Sequence, residues 1–117
     1  MSNKIAIFIY QNIAQDLSRV YRGLATAMEF HNAGDDVAIV FDGSGTESLA
    51  AIADPSHTLT PLMEAARTLI DGACGFCAGS HGVTDQITTA GFTLLADNKG
   101  EASVRNYVTN GYTILSF

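Results

Sequence analysis

Ile5-Ala6-Ile7-Phe8-Ile9-Tyr10 is an apolar run with no alternation of polar residues. A strand written this way hides both faces, as the central strands of helix-covered parallel sheets do. Leu17, Val20, Leu24, Ala27 and Met28 follow at helical spacing. Asp16 stands where an N-cap belongs and Gly34 where a helix stops. Val37-Ala38-Ile39-Val40-Phe41 is a second doubly buried strand. Together these segments make one βαβ unit, whose crossover is expected to be right-handed.

Beyond this unit the elements keep alternating. Asp42-Gly43-Ser44-Gly45-Thr46 leads from the second strand into a short helix expected over 47–53, which Asp54-Pro55 closes. Leu59, Leu62, Met63, Ala66, Leu69 and Ile70 form the next helical stripe, started by Thr60-Pro61 and stopped by Asp71-Gly72. A short strand is expected over 72–76, a helix over 82–90, a fourth strand at Phe92-Thr93-Leu94-Leu95 and a helix over 103–110. Tyr112-Thr113-Ile114-Leu115-Ser116-Phe117 is the last strand. The expected architecture is one α/β domain spanning 1–117, with three α/β/α layers around a five-stranded, mostly parallel sheet.

Composition narrows the function classes. The 117 residues are 47% apolar and only 15% charged, which suits a packed core and leaves apolar surface for a partner subunit. The net charge is −6, and the six basic residues are scattered. No basic stripe faces phosphates, so neither nucleic acid nor an anionic membrane surface is an expected partner. The start, Met1-Ser2-Asn3-Lys4 before a short apolar segment, has neither signal-peptide pattern nor the roughly 20 apolar residues of a membrane span. A cytoplasmic location is the expectation.

In a reducing compartment, two cysteines three positions apart point to redox, metal or transfer chemistry rather than a structural disulfide. Cys74-Gly75-Phe76-Cys77 lies at the expected carboxyl end of a strand and just before a helix. Ligands of open parallel sheets bind there, and backbone N–H groups there favour a thiolate. One cysteine can attack while the other resolves the product. An inert buried pair is the plainer alternative. His81 is a candidate proton donor or acceptor beside the pair, or a solvated loop histidine. Written Cys74-x-x-Cys77-x-x-x-His81, the run offers three zinc ligands, with only His57 and Asp85 near enough in sequence for a fourth. That falls short of a closed structural site, so neither metal nor cofactor is expected. Gly43, Ser44, Gly45 and Thr46 resemble a phosphate-cradling turn, though a plain strand-to-helix loop explains them as well.

Three segments carry a resemblance to a known family. They are Val40-Phe41-Asp42-Gly43-x-Gly45-Thr46, then Ala73-Cys74-Gly75-Phe76-Cys77-Ala78 followed by Gly82-Val83, and the ending Gly111-Tyr112-x-Ile114-Leu115-x-Phe117. In order and spacing they resemble the DsrE/DsrF/TusD sulfur-relay family over nearly the whole chain. The resemblance implies a flavodoxin-like fold and a homotrimer or homohexamer. It also implies sulfane sulfur carried as a persulfide on Cys74, with Cys77 as accessory or resolving thiol and a sulfur donor or acceptor protein as partner. Where the relay proteins have two arginines before the glycine, this chain has Ser80-His81. The expected function is sulfur transfer. The alternatives are a non-catalytic, homo-oligomeric small-ligand module and a zinc-stabilised domain.

Overall fold

The computed structural model describes residues 2–117. Its strands are β1 (Lys4–Ile9), β2 (Asp36–Phe41), β3 (Ile70–Cys74), β4 (Leu94–Leu95) and β5 (Thr113–Ser116). Its helices are α1 (Leu17–Asn32), α2 (Gly45–Ile52), α3 (Thr60–Ala65), α4 (Gly75–Ser80), α5 (Thr84–Thr89) and α6 (Val104–Thr109). The strands form one sheet in the order β4-β3-β2-β1-β5, and every pairing is parallel. The fold is the expected flavodoxin-like three-layer α/β/α class, with a wholly parallel sheet.

Strand order fixes the layers. From β1 to β4 the chain steps one way across the sheet, so right-handed crossovers stack α1 to α5 on one face. The step from β4 to β5 runs the other way and puts α6 on the opposite face. Side chains of β1 alternate accordingly. Ile5, Ile7 and Ile9 join the larger core with Val20, Leu24 and Ile39, while Ala6 and Phe8 join Val40, Cys74 and Ala102 under α6. Phe8 is fully buried and meets Tyr107 of α6 edge-on, with ring centroids 5.5 Å apart. Burying a phenylalanine contributes about 1.5–3 kcal/mol. The second face therefore depends on a few large rings and one six-residue helix.

Local signals set most boundaries. Asp16 caps α1 by accepting the Arg19 N–H, and Ser103 caps α6 by accepting the Asn106 N–H. The region around 66–76 departs from expectation. The helix ends at Ala65, Arg67–Leu69 form a 3-10 turn, and Ile70 opens β3 opposite Ile39. Asp71-Gly72 is thus strand rather than a helix stop, because sheet pairing overrides the helical spacing of Leu69 and Ile70. The strand expected to reach Phe76 ends at Cys74, whose side chain caps α4. Phe92 packs in the core without pairing, so β4 is shorter than expected. Among the described residues no helix is long and apolar enough to cross a membrane.

Candidate functional site

The carboxyl ends of β1, β2 and β3 bring Tyr10, Asp42 and Cys74 to one edge of the sheet. Residues buried on both faces run out there, and the chain turns toward solvent. Cys74 is 1% exposed and points to the α6 face. Its Sγ accepts two backbone N–H groups, from Cys77 at 3.5 Å and Ala102 at 3.4 Å. The first comes from the opening turn of α4. The second comes from the connection between β4 and α6, remote in sequence.

Cys77 lies one turn into α4 and is half-buried. Its thiol donates to Asp42 Oδ1 at 3.4 Å, and the same oxygen accepts the Gly43 N–H at 2.8 Å. Burial pushes the Cys77 thiol up to about 12, the Cys74 sulfur and the Asp42 carboxylate adding to the effect and the Gly43 backbone opposing it. Cys77 is therefore a protonated thiol at neutral pH. Tyr10 is also raised, by burial first and then by the charges of Asp42, Cys77 and Cys74. Among the described residues no lysine or arginine bonds to either sulfur.

The loop after β2 exists to place Asp42. Gly43 has φ +53°, in the left-handed region that glycine adopts freely. A Cβ on Gly45 would lie 1.9 Å from the Ile9 carbonyl oxygen, so only glycine lets α2 start against the end of β1. The amides of Gly45, Thr46 and Glu47 bond to the carbonyls of Asp42, Gly43 and Ser44. Thr46 is fully buried, with its hydroxyl on the Gly43 carbonyl. Residues 43–46 thus form a tight helix start in which the amides of Gly43, Gly45 and Thr46 are already paired, beside a carboxylate. Buried Ser48 extends the brace by accepting the Ile13 N–H and donating to the Gln11 carbonyl.

His81 follows α4 and pairs with Glu47 rather than with a sulfur, its Nδ1 2.8 Å from Glu47 Oε2. The pair ties the end of α4 to the first turn of α2, so it bridges the element bearing Cys77 and the one following Asp42. His57 Nδ1 accepts the Leu59 N–H, and Asp85 sits in the first turn of α5. The group with metal-ligand spacing is instead Asp42, Cys74 and Cys77, whose donor atoms lie within 4.8 Å of one another. Spacing along the chain missed Asp42. The available signal was its place directly after a buried strand, where parallel sheets present functional groups.

A cleft of about 310 Å³ opens on the α6 face, lined by Lys4, Asp97, Ser103, Tyr107 and Tyr112 among others. Most of its polar groups are bonded within the chain. Lys4 Nζ donates to the Asn110 carbonyl, Tyr107 to Asp71, and Asp97 accepts from Ser103 and Asn106.

No protein-family model and no curated protein matches the chain. A solved structure does. It is a conserved protein of unknown function from Bacteroides thetaiotaomicron, with a TM-score of 0.72 and 23% sequence identity, over 98% of this chain and 95% of that one. The likeness is one of fold, and it spans both chains almost end to end.

Proposed function

We propose that the chain is a cytoplasmic sulfur carrier of the sulfur-relay type, loading sulfane sulfur on Cys74. The observation that carries this reading is the asymmetry of the two thiols. Cys74 Sγ is an acceptor for two backbone amides, whereas Cys77 holds its proton against Asp42. The nucleophile is the sulfur that the fold surrounds with donors.

In the loading step the Cys74 thiolate attacks the outer sulfur of a donor persulfide, R–S–SH. The donor S–S bond breaks, R–S⁻ leaves with the electron pair, and Cys74 becomes Cys74–S–SH. An acceptor nucleophile then takes the outer sulfur and returns the Cys74 thiolate. A side reaction competes, in which the Cys77 thiolate attacks Cys74–S–SH, expels HS⁻ and leaves a disulfide. Because burial pushes the Cys77 thiol well above its ordinary value, very little of it is thiolate at pH 7. That suppresses loss of sulfide and suits a carrier better than a persulfide reductase. Asp42 keeps the resolving thiol quiet, and His81 acts at a distance, through Glu47, on how α2 and α4 sit.

The same reading implies self-assembly as a homotrimer or homohexamer, with a sulfur donor or acceptor protein as a further partner. Support comes from the exposed Tyr10, Phe76 and Val108 and from the thin cover on the α6 face. The ligand-module alternative has less support, since most polar groups of the loop 43–46 and of the cleft are bonded within the chain. Mass mapping of each cysteine after exposure to a sulfane-sulfur donor tests the carrier reading.

A further inference from the structure

We infer that Asp42, Cys74 and Cys77 form a binding site for a thiophilic divalent cation such as Zn²⁺, with three protein ligands and one open position. The donor set has the right chemistry, two sulfurs and one carboxylate oxygen. One of its edges also has the right length. With Zn–S of about 2.3 Å and Zn–O of about 2.0 Å, a tetrahedral site has an S···O edge of about 3.5 Å. The Cys77 Sγ to Asp42 Oδ1 separation is 3.4 Å, so one edge of the tetrahedron is already in place, held by a proton that a cation would replace. The third donor, Cys74 Sγ, lies within 4.8 Å of both.

The surroundings of the donors are a second, independent observation. Ligands of protein-bound metals are oriented by outer hydrogen bonds. Here Gly43 N–H donates to Asp42 Oδ1 at 2.8 Å, and the amides of Cys77 and Ala102 donate to Cys74 Sγ. Backbone amides fix two of the three donors, and they come from three separate segments. Asp42 and Cys77 are half-buried while Cys74 is buried, so a cation reaches the cluster from the Asp42–Cys77 side and the fourth position faces outward. Binding balances as M²⁺ plus two thiols and one carboxylate giving the bound metal and two released protons, so affinity falls as pH is lowered.

The site differs from the zinc reading of the sequence, which relied on His81, His57 or Asp85. It stands whether or not Cys74 carries sulfur. One consequence alone rests on the carrier reading, namely that a bound cation occupies both thiolates and so blocks loading.

The test is titration of the reduced, chelator-treated full chain with Zn²⁺ against a chromophoric chelator, and with Co²⁺ for its spectrum. One Zn²⁺ per chain is expected, together with the thiolate-to-cobalt charge-transfer and ligand-field bands of a tetrahedral site. Cys77→Ser should lose the charge-transfer intensity of one thiolate, and Asp42→Asn should weaken Zn²⁺ binding roughly tenfold or more. Cys74→Ser should abolish tight binding. If this buried substitution unfolds the chain by circular dichroism, the other two variants decide the matter. Absence of stoichiometric binding, or Asp42→Asn binding as tightly as wild type, overturns the site. Sulfur loading is read separately by mass on metal-free protein. A chain that loads sulfur but ignores Zn²⁺ refutes this inference alone, and the opposite result refutes only the carrier.

Discussion

Cys77 Sγ donates to Asp42 Oδ1 across 3.4 Å, joining residues 35 positions apart in sequence. The contact links the first turn of α4 to the end of β2 and brings a carboxylate to a thiol in a partly buried place. Burial and the neighbouring acceptors all favour the thiol over the thiolate. The two cysteines of one short motif thereby acquire different characters.

That difference has a pH signature. The folded Cys77 thiol titrates at about 12, above its ordinary 9.0. A group raised on folding stabilises the native state below its unfolded value, and that contribution is lost as pH rises toward the folded value. Wild type should therefore lose stability more steeply than Cys77→Ser between pH 9.0 and about 12. Tyr10 and Tyr107 are raised too, but they are present in both proteins and cancel in the difference. Urea denaturation across this window reads the effect, and equal slopes contradict it.

Two glycines near the site should behave in opposite ways. Gly45→Ala forces a Cβ to within 1.9 Å of the Ile9 carbonyl, so α2 must move away from β1 and carry Asp42 with it. The expected loss is about 3 kcal/mol, the upper end of what overpacking costs. Gly79, inside α4, has nothing within 4 Å of its would-be Cβ. Gly79→Ala should leave stability unchanged or raise it by up to about 1 kcal/mol. Denaturant midpoints distinguish the two, and a tolerated Gly45→Ala contradicts the packing described for this loop.

The loop 43–46 looks in sequence like an anion cradle, but the amides of Gly43, Gly45 and Thr46 are bonded within the chain and the Asp42 carboxylate stands beside them. Millimolar phosphate or sulfate should therefore leave Tm unchanged, since a ligand that binds only the native state would raise it. A concentration-dependent rise would mean that the helix start opens to take an anion.

Assembly is the next expectation. Phe76 is 60% exposed one residue from Cys77, and Tyr10 is exposed beside the same cluster. Light scattering at micromolar concentration should return the mass of a trimer or hexamer. A monomer removes self-association from the account.

The sequence carried the sheet's centre plainly. The doubly apolar runs of β1 and β2 have few other readings, and Cys74 could be placed at a strand end because small residues and a helix signal flank it. Other features were hidden for physical reasons. Leu69 and Ile70 continue a helical stripe, and only the pairing of Ile70 with Ile39 turns the chain into β3. Asp42 meets Cys77 through tertiary structure, which no local spacing records. The Ala102 amide on Cys74 Sγ is a backbone group, so no residue type announces it. His81 was legible as a neighbour of the motif, but its ring faces Glu47, and that orientation belongs to the packing of α2 against α4.

The carrier reading is tested most directly by mass spectrometry of the reduced, metal-free chain after brief exposure to a sulfane-sulfur donor. Wild type should gain one sulfur atom on Cys74, and the adduct should persist at neutral pH because Cys77 keeps its proton. Cys77→Ser should gain the same adduct and hold it at least as long, while Cys74→Ser should gain none. If Cys74→Ser is labelled as fully as wild type, the roles of the two cysteines are wrong. If neither cysteine takes up sulfur, the chain is not a sulfur carrier.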